Sequence, residues 1–113
     1  MISVVILGGG NVATHLFRAF TKAEHVSVVQ WYNRNIDSIK SYKNEVDITD
    51  DITQLKLADL YILAVSDDAI KPLASLLPFE NRLVVHTSGG VSLYDINKKQ
   101  KRTKVQMSRA TKQ

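Results

Sequence analysis

Short apolar runs alternate with helix-spaced stretches along most of the chain. Ile2–Leu7 is rich in β-branched residues and is stopped by three glycines, which predicts a buried strand. Asn11–Lys22 sets Val12, Leu16, Ala19 and Phe20 on one helical face. Val26–Tyr32 predicts a second strand. Asn35–Tyr42 carries Ile36, Ile39 and Tyr42 at helical spacing, and Glu45–Ile48 forms a short third strand. Asp50 or Asp51 caps a brief helix running to Leu55. Leu60–Val65 is a fourth apolar run.

Ser66-Asp67-Asp68 then opens a helix that contains Pro72. Two readings stand. Either Pro72 occupies the first turn of a helix over Lys71–Leu77, or it kinks a longer helix beginning near Asp68. Pro78 ends it. Leu83–His86 is a fifth strand, and Ser92-Leu93-Tyr94-Asp95 resembles a capping box for a last helix. Strands that are apolar throughout need cover on both faces. The pattern therefore predicts an α/β fold, a doubly wound parallel sheet in the order 3-2-1-4-5.

Composition adjusts this picture in three ways. A length of 113 residues allows one domain, expected over residues 1–97. The net charge of +4 is uneven: seven basic residues and no acidic one lie between Lys98 and Gln113. The preceding part, with 8 of the 15 basic and all 11 acidic residues, carries −3. We therefore expect a mildly acidic body and a solvated or frayed basic tail over residues 98–113, with nucleic acid an unlikely partner because the tail lacks aromatics for stacking. The absence of cysteine excludes disulfide and thiolate–metal chemistry. With no signal peptide and no transmembrane span expected, a cytoplasmic location follows as the expectation.

The most informative stretch is Leu7-Gly8-Gly9-Gly10-Asn11-Val12-Ala13, at the junction of the first strand and first helix. Gly8, Gly10 and Ala13 fit G-x-G-x-x-A: a tight turn, a close backbone approach to a pyrophosphate, and close helix–strand packing. Amide N–H groups at the helix start, with the positive end of its dipole, suit phosphates. A strand before, a helix after and a full βαβ unit around the motif supply the context it requires. At the end of the second strand, where NAD sites usually carry a carboxylate, stands Asn33-Arg34-Asn35. A guanidinium there favours a 2′-phosphate, so NADP is expected over NAD.

Other chemistries find little support. His86 ends the fifth strand and is a candidate proton relay, as is Ser88 beside it, although a buried structural histidine is the plainer reading. His15 and His25 read as helix-surface and turn residues. No histidine pair has metal-ligand spacing, so no metal is expected. Asp67 and Asp68 complement a helix dipole. Ser88 lacks a nucleophile-elbow context, and the glycine motif lacks the Gly-Lys-Ser/Thr ending of a nucleoside-triphosphatase loop.

Gly8 to Ala13, Tyr32-Asn33-Arg34, Ala64-Val65-Ser66-Asp67-Asp68 and His86-Thr87-Ser88-Gly89 together resemble the N-terminal Rossmann domain of the deazaflavin-dependent NADP oxidoreductase and pyrroline-5-carboxylate reductase type. Within it the chain looks like a bacterial subgroup with an uncharacterised helical C-terminal domain. The resemblance spans about residues 1–97 and implies an NADP-dependent oxidoreductase that passes hydride to or from a small, unidentified substrate. It implies that Gly8, Gly9, Gly10, Asn11, Val12 and Ala13 hold the pyrophosphate. Asn33, Arg34 and Asn35 would hold the adenosine ribose phosphate. Ala64, Val65 and Ser66 would line the nicotinamide-side ribose, and Thr87, Ser88 and Gly89 the nicotinamide. Family members continue into a helical domain that completes the substrate pocket and often a homodimer. The expectation is therefore a cofactor-binding half, inactive when isolated. The alternative is a non-catalytic NAD(P)-sensing module.

Overall fold

The computed structural model describes residues 1–79 and 82–87. Five parallel strands make one sheet: β1 (Ile2–Leu7), β2 (Val26–Tyr32), β3 (Ile48–Thr49), β4 (Leu60–Leu63) and β5 (Val84–His86), in the order β3-β2-β1-β4-β5. This is the doubly wound Rossmann arrangement the hydrophobic pattern predicts. Helices α1 (Asn11–Lys22) and α2 (Asp67–Leu76) cover opposite faces. Alternation along β1 explains why: Val4 and Ile6 pack with Ala13 and Phe17 of α1, while Val5 and Leu7 pack with Ile70 and Ala74 of α2.

The α1 face differs from its predicted centre. Ala13 and Phe17 are buried, Leu16 and Phe20 partly so, and Val12 and Ala19 are exposed. The rotation frees Val12, half exposed at 50%, for the surface beyond the strand ends.

Three segments depart from their predicted form. Asn35–Tyr42 makes two short 3-10 turns, Ile36–Ser38 and Lys40–Tyr42. Its apolar residues recur every third position, the period of a 3-10 helix, and Ile39 leaves helical geometry between the turns at φ −121° and ψ 7°. The third strand is Ile48–Thr49, sharing only Ile48 with the expected Glu45–Ile48, and its neighbourhood is stitched to β2 by Trp31 N–H to Asp47 C=O (2.8 Å) and Asn33 N–H to Thr49 C=O (3.0 Å). Between Asp50 and Asp51, it is Asp51 that caps the following 3-10 turn, Ile52–Gln54, its carboxylate accepting from Thr53 N–H at 2.9 Å.

The longer α2 reading holds. The helix starts at Asp67, two acidic residues occupy its first turn, and Pro72 lies inside it. A proline there removes one i→i−4 hydrogen bond. Strands four and five are each shorter than expected, ending at Leu63 and starting at Val84. The proposed helix at Ser92, the basic tail and the domain boundary at residue 97 lie outside the described residues. Among the described residues, no helix is long and apolar enough to cross a membrane.

Candidate functional site

The site forms where the chain leaves β1. Gly8 has φ +137°, a conformation that L side chains rarely adopt, and a Cβ there would run into the Ala64 carbonyl. Its N–H donates to the Tyr32 carbonyl at 2.8 Å. Its carbonyl accepts from the Trp31 indole N–H. A Cβ on Gly9 would meet the side-chain amide of Asn33. Gly10 is different. Its φ of −92° suits any residue, and a Cβ there would meet nothing within 4 Å. Neither backbone strain nor packing within the described chain calls for glycine at 10.

Gly10 is also the N-cap of α1. It supplies no side-chain cap, and the first turn carries no acidic residue. Among the described residues, the side chain turned back on the cap is Thr14, whose hydroxyl donates to the Gly10 carbonyl at 3.0 Å. The first-turn N–H groups of Asn11, Val12 and Ala13 thus lack a capping acceptor and favour an anion.

These glycines form one wall of a cleft of about 740 Å³ at the carboxyl ends of the strands. Gly8, Gly9, Gly10, Asn11, Val12, Asn33, Arg34, Ala64, Val65 and Ser66 all line it. Ala13 does not. It is fully buried beneath α1, where its small side chain lets helix and sheet approach. Asn35 also lies off the cleft. Its side chain caps the 3-10 turn by accepting from Asp37 N–H, and its carbonyl accepts from the Asn33 amide at 2.7 Å. Thr87 follows β5, its N–H bonded to the Leu63 carbonyl at 3.3 Å, and is not a lining residue. Ser88 and Gly89 lie outside the described residues.

His86 is 0% exposed within β5 and does not line the cleft. His15 and His25 are exposed. Among the described residues there is no cluster of three or more His, Cys, Asp or Glu suited to a metal.

Arg34 is exposed at the rim, with no ion pair to a described residue. It is electrostatically coupled to Tyr32 behind it. Burial raises the Tyr32 hydroxyl above its usual value, Arg34 pulls it back, and Asp50 and Asp51 add to the rise. Neither aspartate lines the cleft.

The cleft also contains residues that the sequence reading missed. Ser38, on the 3-10 turn after Arg34, faces it from the same rim. Ala69, Pro72, Leu73 and Leu76 of α2 make the opposite, apolar wall, with Asp68 at its start. A signal for that wall existed. Ile70, Ala74 and Leu77 form the buried stripe beneath α2 and Leu73 packs partly against it, so Leu76 is an apolar residue in excess of what the core uses. Leu76 is 61% exposed.

Comparisons with known proteins agree with this fold. The family model for NADP oxidoreductase, coenzyme F420-dependent, matches residues 3–90. A Bacteroides fragilis protein assigned as an NADP oxidoreductase has a similar structure, with TM-score 0.79 and 28% identity over 92% of this chain and 42% of its own. An imine reductase from a Pseudomonas species (TM-score 0.69, 19% identity, 92% of this chain and 39% of its own) shares the fold. So does an NAD-binding protein from Listeria innocua (0.69, 16%, 96% and 36%). The chain spans less than half the length of each. No curated protein matches it.

Proposed function

The chain belongs to the family of NADP oxidoreductases described as coenzyme F420-dependent, and from that premise we propose that its cleft binds NADP(H) and serves hydride transfer to or from a small substrate. The observation that carries this reading is Gly10, where nothing in the described protein occupies the space a Cβ would take, at the uncapped start of a twelve-residue helix.

The residues present fit a dinucleotide. Gly8 shapes the turn, Gly10 admits a close approach, and the N–H groups of Asn11 and Val12 bind a pyrophosphate with help from the helix dipole. Arg34, unpaired among the described residues and on the cleft rim, engages a 2′-phosphate through charge-assisted hydrogen bonds. This favours NADP over NAD. Ala64, Val65 and Ser66 support the ribose at the nicotinamide end, and Ala69 and Leu73 exclude water from one side.

When bound, the nicotinamide supplies or accepts the hydride, while the protein orients it. The acceptor pocket belongs to the whole protein, of which this chain supplies the cofactor cleft. The test uses the full-length protein and NADPH deuterated at C4 of the nicotinamide, offered imines, ketoacids and deazaflavins in turn. Deuterium in one reduced product, with matching oxidation of NADPH, supports the reading. NADPH that stays unoxidised across the panel opposes it.

A further inference from the structure

We infer that Trp31, which lies behind the glycine turn, is a positioning residue for cofactor binding through its indole N–H. The inference rests on the reading of the cleft as a dinucleotide site.

Val4 of β1 pairs with Val28 of β2, but Val5 pairs with Gln30, so Val29 is an extra residue in β2. A one-residue slip in a strand moves every later side chain to the opposite face. With unbroken alternation from Val26 and Val28, Gln30 would sit on the α1 face and Trp31 on the other. The bulge exchanges them. Trp31 joins Val26 and Val28 on the α1 face, between Phe17 and Tyr42, with ring centroids 4.9 Å from each. Gln30 donates to the Gln54 carbonyl at 3.0 Å and accepts from Lys56 N–H at 2.7 Å. Bulges beside functional sites commonly re-aim a side chain in this manner.

The re-aimed indole N–H donates to the Gly8 carbonyl, in a setting where Trp31 is 0% exposed. With the Gly8 N–H held by the Tyr32 carbonyl, the last two residues of β2 hold both polar groups of Gly8. The Gly8 carbonyl and the Gly9 N–H belong to one planar trans peptide and point in opposite directions. Fixing the oxygen toward the indole turns the Gly9 N–H away from that core, on a residue that lines the cleft. The indole therefore sets the orientation of an amide at the phosphate end of the site without touching the ligand. An aromatic residue kept for packing alone would not need its nitrogen.

The chain has one tryptophan, so biosynthetic replacement of tryptophan by its benzothiophene isostere alters this site alone and removes the donor while keeping the ring shape. NADPH affinity and melting temperature are measured for the unsubstituted chain, the isostere and Trp31→Phe. We expect the isostere to melt within a few degrees of the unsubstituted chain and to bind NADPH about three- to tenfold more weakly, the range for one neutral hydrogen bond. Trp31→Phe should show the same weakening with a lower melting temperature. Unchanged affinity in both variants overturns the inference, whatever happens to stability. Failure of the unsubstituted chain itself to bind NADPH contradicts the underlying cofactor reading and removes this inference with it.

Discussion

The α-carbon of Gly8 faces the carbonyl of Ala64 across the β1–β4 junction, with no room between them for a Cβ. Ala64 in turn donates its N–H to the Leu7 carbonyl at 2.8 Å, so the two strands are bonded one residue before the glycine turn. Gly8→Ala therefore meets both a positive φ and a backbone collision. Backbone strain of this kind costs about 1–3 kcal/mol, and the collision adds to it. We expect a melting temperature lower by roughly 10 °C or more, read by circular dichroism.

Gly10→Ala should behave in the opposite way. Its backbone is ordinary, and its Cβ would meet nothing within 4 Å. Loss of unfolded-state freedom offsets the poorer N-cap, and stability should stay within about 1 kcal/mol. NADPH affinity should fall at least about tenfold, because the methyl group occupies space the pyrophosphate needs. Calorimetric titration beside a thermal melt separates the two effects. A variant that melts early yet binds normally would assign Gly10 to folding.

Much of this was legible in the sequence because the relevant signals are local. Ile2–Leu7 followed by Gly8-Gly9-Gly10 and a helix fixes a strand, a turn and an anion-binding helix start within about fifteen residues. Strands that are apolar throughout call for a parallel sheet covered on both faces, and the glycine motif after the first of them points to the order 3-2-1-4-5. The missing parts depend on tertiary context. The period of Ile36, Ile39 and Tyr42 fits a 3-10 turn as well as a helix, and Ile39 decides it. The extra residue in β2 shows only in its pairing with β1, so the side on which Trp31 falls was hidden. Leu76 reads as general helix apolarity until Ile70, Ala74 and Leu77, with Leu73 partly buried beside them, are seen to make the core face of α2 without it.

Acid should weaken the fold in part through the start of β1. Backbone and side-chain hydrogen bonds from Ser3 hold the Asp59 carboxyl below its ordinary value of 3.8. Thr53 does the same for Asp51, its side chain contributing more than its backbone. A carboxyl whose folded-state pKa is depressed stabilises the fold above its unfolded value and loses that contribution as pH falls through the folded one. Melting temperature should therefore fall as pH drops below 3.8, and Asp59→Asn should flatten that fall. An identical acid profile in the variant would exclude Asp59 as a contributor.

Arg34→Ala should act on cofactor choice alone. The side chain is exposed and has no ion pair to a described residue, so stability should change little. Loss of a charge-assisted contact of about 1.5–3 kcal/mol predicts roughly ten- to a hundredfold weaker NADPH binding. NADH binding should be unaffected. Equal losses for both would mean that Arg34 serves a part the two cofactors share.

The central claim, that this cleft is built for NADP(H), is tested most directly by calorimetric titration of the unmodified chain with NADPH and with NADH at one ionic strength. We expect one site, filled by both cofactors, with NADPH bound at least about tenfold more tightly. Equal affinities would contradict the 2′-phosphate role of Arg34, and no heat from either cofactor would contradict the cofactor cleft itself.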